Sequence, residues 1–400
     1  MTAVKIAEVE TFVVANPPPS LGGRYFTFVK LTSSDGTVGW GEAYAGSVHP
    51  EVVARALLDV AERHLVGHDP FDVETFWRRA YGRGFTSRPD LTLQGVMSAL
   101  EMACWDIVGK TVGQPVYRLL GGQVRERLRT YTYLYPEEGD TADVYTDPDL
   151  AAARAAEYVE RGFTAVKFDP AGPYTVFGGH QPSLRRIGLS VELTRRIREA
   201  VGVSADLLFG THGQFTASGA IRLASRLEPY DPLWFEEPVP PDDFVGMARV
   251  VSGTTVPVAA GERLTTKTEF ARLLDAGVGI VQPNLGRAGG ILEGKKIASL
   301  AEAHNAQIAP HLYCGPIVGA ANIQLATCSP NFLILEGILD WGGFHADLLK
   351  TPIHWEDGYV VPPTAPGLGV ELDEDVARAH PYTESGLHLD VTERPIDVAD

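Results

Sequence analysis

Apolar and polar residues alternate over positions 7–14, and positions 25–31 form an aromatic and β-branched run. Asp35-Gly36 then marks a tight turn before Val38-Gly-Trp-Gly-Glu42, so the chain opens with three strands, the last two a hairpin. Between the first two lies Asn16-Pro-Pro-Pro-Ser-Leu-Gly-Gly-Arg24, which can be neither a helix nor a central strand. From about Pro50 the apolar period changes to 3.6 and predicts helices over 51–65, 71–81 and 91–110. The last of these carries Met97, Leu100, Cys104, Ile107 and Val108 on related faces, and Gly113-Gln-Pro115 and Gly121-Gly122 close the section. Sheet first and helices after is an α+β arrangement.

Beyond about Leu128 short apolar runs alternate with amphipathic stretches. Strands are predicted over 130–134, 165–168, 207–209, 233–236, 256–260, 280–282, 307–309 and 332–335. Helical patterns fall between them, for example over 151–161, 189–201, 219–227, 266–276 and 289–303. Eight strands separated by helices in about 230 residues suit a (β/α)₇β modified TIM barrel. An open doubly wound sheet would bring a glycine-rich turn after its first strand, and Tyr131-Thr-Tyr-Leu-Tyr-Pro136 has none. The expected division is an α+β capping domain over 1–125, the barrel over 126–352, and a C-terminal segment over 353–400 that packs back on the cap.

Composition narrows the function classes. The 400 residues are 44% hydrophobic and 21% charged, ordinary for a globular chain, and the net charge of −17 disfavours a nucleic-acid binder. Three cysteines without ligand-like spacing (Cys104, Cys314, Cys328) point to neither disulfides nor zinc, which suits a reducing cytoplasm. No apolar run reaches membrane-spanning length, and charges interrupt residues 1–10 too early for a signal-peptide core. The expectation is a cytoplasmic enzyme with a small-molecule substrate and no nucleic-acid or membrane partner.

Barrel enzymes carry their chemistry at the C-terminal ends of strands. Here those ends read Lys167-Phe-Asp169, Gly210-Thr-His212, Glu236-Glu-Pro238, Gly261-Glu262, Pro283-Asn284, Pro310-His311 and Glu336. So many ionisable groups at one mouth require a metal and hydrogen-bond partners, and carboxylate oxygens favour Mg²⁺ over zinc. With Ser98-Ala-Leu-Glu-Met-Ala-Cys-Trp-Asp-Ile-Val-Gly-Lys110, Pro115-Val-Tyr-Arg-Leu-Leu-Gly-Gly122, Trp234-Phe-Glu-Glu-Pro238, Arg287-Ala-Gly-Gly290 and Ala309-Pro-His-Leu312, the order and spacing resemble the enolase superfamily. The resemblance is to its mandelate racemase-like acid-sugar dehydratases, and it runs along nearly the whole chain.

The resemblance implies a Mg²⁺ ion, removal of the proton α to a carboxylate, an enediolate, and loss of the β-hydroxyl to give a 2-keto-3-deoxy acid. Carried over residue by residue, it makes Glu236 and Glu262 metal ligands, with Glu237 supporting them. His311 becomes general base or acid, and Glu336 and Lys167 hold the substrate carboxylate. Assembly into homo-oligomers is expected as in relatives.

Three positions depart from the pattern. The strand-three aspartate is Gly210, so either Asp169 or His212 must supply the third ligand; Asp169 is preferred on hardness, leaving His212 as general acid. The second lysine of Lys-x-Lys is Asp169, which shifts proton abstraction to the His311 side. The aspartate that orients the strand-seven histidine is Asn284, which can fix an imidazole but cannot stabilise imidazolium. Arg24, in the loop matching the specificity loop of the cap, and Tyr174 and His180, in the long loop over 170–182, are candidate substrate contacts; Gln214 and Tyr313 are further pocket candidates. Trp234 reads as core. Galactarate and galactonate are the first substrates to try. A cycloisomerase of an acid-sugar lactone or anhydro acid and a lapsed sugar-acid binding protein are the alternatives.

Overall fold

The computed structural model describes residues 4–82, 89–169, 174–389, 391 and 393–395. The opening alternation becomes an antiparallel meander of β1 (Ile6–Ala15), β2 (Tyr25–Ser33) and β3 (Val38–Ala43). One face of it, including Val29, Leu31 and Ala43, buries against Leu57, Ala61, Leu100 and Ala103. Those residues come from α1 (Pro50–His64) and α3 (Leu91–Val112); α2 (Val73–Tyr81) and α4 (Val116–Leu119) complete the layer. Proline at the start of α1, an Asp90 carboxylate accepting from the Leu93 N–H at 2.9 Å, and a left-handed Gly113 after α3 set the helix ends. The glycines of Val38-Gly-Trp-Gly-Glu42 are required by close approach. A Cβ at Gly39 would stand 2.1 Å from the Ala103 carbonyl oxygen, and one at Gly41 1.8 Å from that of Ala99.

Eight parallel strands follow: β4 (Leu128–Tyr133), β5 (Ala165–Phe168), β6 (Asp206–Gly210), β7 (Trp234–Glu236), β8 (Val258–Ala260), β9 (Ile280–Val281), β10 (Gln307–Ile308) and β11 (Leu335–Glu336). Each pairs with the next through β10; β11 returns to β4, and Phe332 bridges Ile308, so the ring closes. Between the strands run α5 (Pro148–Glu160), α6 (Leu184–Val201), α7 (Ala217–Leu227), α8 (Phe244–Gly253), α9 (Thr266–Asp275), α10 (Gly290–Ala303) and α11 (Pro316–Thr327). This is the expected (β/α)₇β barrel beside an α+β cap. Tyr131, Leu208, Trp234, Ala259, Ile280 and Ala309 pack together inside it, and Trp234 is core as expected. The sequence pattern did not predict α8 or α11. Every residue of α11 is buried, so its apolar positions carry no one-sided period.

Past the barrel come α12 (Phe344–Asp347), the hairpin β12 (Trp355–Glu356) and β13 (Tyr359–Val360), and α13 (Glu374–Ala379). The hairpin pairs with the start of β4, while the stretch around α13 reaches the cap sheet through Lys30–Glu374 at 2.5 Å and the Tyr382 N–H donating to the Val13 carbonyl at 3.1 Å. Among the described residues no helix is long and apolar enough to cross a membrane.

Two cap carboxylates fix the cap to the barrel. Glu42 accepts from the N–H groups of Gly315 and Val318 at 2.5 and 2.9 Å, at the start of α11. Glu101 accepts from Ile291 and Leu292 at 2.6 and 2.8 Å, at the start of α10, and from the Trp105 indole at 2.9 Å. Both are fully buried, so each satisfies helix-end donors that water cannot reach. Glu101→Ala should strip all three donors at once and cost about 3 kcal/mol; a shift of the urea midpoint checks this, and an unchanged midpoint would remove Glu101 as an anchor.

Candidate active site

Lys167 is the last but one residue of β5, Glu236 ends β7 and Glu336 ends β11, which brings three charged groups to the same rim. The Lys167 ammonium hydrogen-bonds Glu236 and stands 3.5 Å from Glu336 Oε1, over the Tyr133 ring at 4.7 Å from its centroid. Gln282 Nε2 donates to Glu236 Oε2 at 2.8 Å, and the Leu312 N–H donates to Glu336 Oε2 at 2.8 Å. All three charged groups are buried. Burial pushes both carboxyl groups up and Lys167 only partly opposes it. For Lys167 burial alone would lower the pKa, but Glu236 and Glu336 win and raise it.

Two histidines flank Glu262. His311 Nε2 lies 3.3 Å from Glu262 Oε2 and 3.9 Å from Glu336 Oε2, while its Nδ1 meets Asn284 Nδ2 at 2.9 Å. Burial lowers the His311 pKa to about 4 against the pull of Glu262, so this imidazole is neutral. His212 turns Nδ1 to Asp169 Oδ2 at 2.8 Å, with the Tyr174 ring edge-on at 4.5 Å between centroids. Burial works against the charged form of His212 too, but Glu262 and the Asp169 hydrogen bond prevail and raise it to about 9. Burial likewise works against the Glu262 carboxylate, yet His311, His212, Lys167 and Arg263 hold it well below the usual range.

Glycine at 210 is accommodated in a particular way. A Cβ there would lie 3.2 Å from the Tyr133 hydroxyl, 3.3 Å from Lys167 Cε and 3.7 Å from Asp169 Oδ2. The Asp169 carboxylate therefore stands beside the space a strand-three side chain would enter. Glu237 pairs with Arg263 at 2.7 Å instead of facing the other acids. His212 and Glu237 both take left-handed backbone, with φ of 48° and 43°, an uncommon conformation that strand-end sites tolerate when their surroundings impose it.

A cavity of about 550 Å³ opens over this rim. Asp169, His212, Glu262 and His311 line it from the barrel, Pro19, Leu21 and Tyr44 from the cap, and Tyr133, Tyr135, Tyr145, Tyr174, Arg186 and Tyr313 around the sides. Of the predicted contacts, Tyr174 and Tyr313 are in the lining. Arg24 and His180 are not: Arg24 lies against Gly386, and His180 packs edge-on against Phe215 with a ring separation of 5.4 Å. Gln214 is buried, outside the lining. Positions 170–173 of the long loop lie outside the described residues.

Tyr133, Tyr135, Tyr145 and Arg186 in the wall, and Gln282 behind Glu236, are site residues that the sequence pattern did not single out. Tyr131, Tyr133 and Tyr135 recur at period two in the first barrel strand and the residues after it, a signal that was available.

A closed parallel barrel with acids, a lysine and histidines at the C-terminal rim and a cap reaching into the mouth defines a barrel enzyme of the enolase type. The family model for the mandelate racemase/muconate lactonizing enzyme N-terminal domain matches residues 8–121, and that for the enolase C-terminal domain-like fold matches 150–376. A D-galactonate dehydratase of Xanthomonas euvesicatoria pv. vesicatoria is 36% identical over 366 residues, 88% of this chain and 90% of its own length. A D-gluconate dehydratase of Thermoproteus tenax is 33% identical over 394 residues, 98% of this chain and 76% of its own. The solved structure of a Burkholderia SAR-1 protein assigned to the mandelate racemase/muconate lactonizing enzymes shares 60% identity at a TM-score of 0.97, covering 99% of both chains. The chain belongs to the mandelate racemase/muconate lactonizing enzyme group of the enolase superfamily.

The His212–Asp169 contact yields a pH prediction. A histidine whose pKa rises on folding, here from 6.5 to about 9, adds stability that is complete below pH 6.5 and lost as pH climbs through 9. His212→Asn should flatten the fall in stability over that window in denaturation curves; an unaltered pH profile would mean that the pair contributes nothing.

Proposed function

We propose that this enzyme dehydrates an acid sugar, an aldonate or aldarate such as galactonate or galactarate, to a 2-keto-3-deoxy acid through an enediolate. The observation that carries the reading is one barrel rim on which Asp169, Glu262, His212 and His311 line the cavity and the buried Lys167, Glu236 and Glu336 cluster stands at the ends of neighbouring strands, in a chain whose curated relatives dehydrate sugar acids. The obstacle in such a reaction is the weak acidity of a C–H bond beside a carboxylate, so charge must be met as it forms on the carboxylate oxygens. Lys167 supplies one fixed positive charge. Glu336, its carboxyl group pushed toward the protonated form by burial, can hold a substrate carboxylate oxygen as an O–H donor. His212 and His311 are the imidazoles in the cavity wall that can take up or hold protons at the reacting carbons.

Mg²⁺ belongs to the same proposal. The donor chemistry and the charge fit a hard divalent cation: Asp169, Glu236, Glu262 and Glu336 are four acids around one lysine, Lys167, and Glu262 Oε2 is a buried acceptor with no hydrogen-bond donor. Among the described residues no three acidic or imidazole groups converge on one point, so the fit is one of chemistry and charge. Glu236, Glu262 and Asp169 would hold the ion, with Glu237 supporting them. Bound there, it would offset the charge of Glu262 and act as Lewis acid toward the developing oxyanion.

Two experiments test this reading. An acid-sugar library incubated with enzyme and Mg²⁺ should give a semicarbazide-reactive product that NMR identifies as a 2-keto-3-deoxy acid. A ring-opened product would favour cycloisomerisation, and binding without turnover would favour a lapsed enzyme. Millimolar Mg²⁺ should also raise the Tm of the wild type and leave Glu262→Gln unmoved; an equal rise in both would take Glu262 out of the metal site.

A further inference from the structure

Asn284 sits where the pattern of the family expects an acid, and its amide has a determined orientation. The Gly286 N–H, which can only donate, lies 2.8 Å from Asn284 Oδ1. That assigns the oxygen to Gly286 and leaves Nδ2, a donor, facing His311 Nδ1 at 2.9 Å. His311 Nδ1 must therefore accept. In a neutral imidazole the proton then sits on Nε2, the nitrogen that faces Glu262 Oε2 at 3.3 Å and Glu336 Oε2 at 3.9 Å. The Asn284 contact at Nδ1 thus selects the tautomer, and a hydrogen on Nε2 is compatible with the acidic groups on that side of the ring. The ring is held besides by Tyr44 stacked at 6.1 Å and by Asn322 Nδ2 bonding the His311 carbonyl at 3.0 Å.

His212 has the opposite arrangement. Its Nδ1 faces a carboxylate, Asp169 Oδ2 at 2.8 Å, so Nδ1 carries hydrogen and, in the neutral ring, Nε2 is the nitrogen left to accept a proton. From these two geometries, and resting on the dehydratase reading above, we infer that the catalytic roles are exchanged. His212, oriented by Asp169, is the base, and His311 is a neutral N–H donor locked by Asn284, a positioning residue. The α C–H bond breaks with its proton passing to His212 Nε2 and its electron pair entering the enediolate. The β C–O bond then breaks as that electron pair forms the C=C bond, and His212, whose Nε2 proton exchanges with solvent, gives a proton to the hydroxyl, which leaves as water. The enol takes a solvent proton at C3 and releases its own in becoming the keto acid. His311 loses no proton; its Nε2–H can only donate a hydrogen bond to an oxygen gaining charge.

The test reads the tautomer directly and needs no turnover. In full-length protein with ¹⁵N-labelled histidine, with His311→Asn identifying the signals, His311 should show a bare Nδ1 and a protonated Nε2. Asn284→Asp should move the proton to Nδ1. A protonated Nδ1 in the wild type overturns the inference whatever the enzyme acts on, whereas failure of the substrate screen alone leaves the tautomer assignment standing. On the acid sugar that the wild type turns over, α-hydrogen exchange in D₂O should fall at least about 100-fold in His212→Asn, consistent with loss of a general base. It should persist in His311→Asn, and the reverse pattern would return the base to His311.

Discussion

One lysine shared between two buried carboxylates is the contact on which the rest of the site depends. Lys167 has no solvent to turn to, and neither has Glu236 or Glu336, so in a low-dielectric rim the ammonium charge persists only through the two carboxyl groups beside it. Gln282 and the Leu312 N–H take up remaining carboxylate oxygens and hold both acids at fixed angles. Removal of any one member would leave the others as uncompensated buried groups. The network also gives the mouth its sign: acids exceed cations there, which suits a positively charged guest and leaves Lys167 as the fixed positive group for an anionic one.

The cap is joined to this arrangement by the same physics. Glu42 and Glu101 reach from the cap to the N-termini of α11 and α10, where unpaired N–H groups and the helix dipole favour a carboxylate. With the cap seated, Leu21 and Tyr44 close one wall of the cavity, and Tyr44 is gripped between the Arg287 guanidinium, 3.6 Å from its ring centre, and the His311 ring. Fold stability and active-site shape are thus parts of one interface.

Much of this was legible in the chain because strand ends in a barrel are chemically conspicuous. Lys167, Asp169, His212, Glu236, Glu262, Asn284, His311 and Glu336 all follow short apolar runs, and the structure brings them to one rim. What escaped was whatever lacked a period or a charge. Helix α11 is buried on every side, polar Asn322 and Gln324 included, which erased its signature. The tyrosine wall sat in a strand that looked complete as core. Arg24 and His180 were singled out for residue type and loop position, and neither property says which way a side chain turns. Partners such as Gln282 for Glu236 depend on adjacency between strands far apart in sequence, which no local pattern encodes.

The three departures from the family pattern are best understood together. Glycine at 210 vacates space beside Tyr133, Lys167 and Asp169, and the Asp169 carboxylate stands at that space. Asp169 in turn gives His212 the carboxylate partner that a neutral Asn284 withholds from His311. The carboxylate–imidazole pairing has thereby moved across the mouth from one histidine to the other. Charge conservation explains why the substitutions belong together: an aspartate at 284 in addition to Asp169 would place a further negative group in a rim that already holds more acids than cations, while a lysine at 169 would face Lys167 with no carboxylate left to orient His212. The site keeps its count of acids tolerable by relocating one of them, and the imidazole that acts as base moves with it.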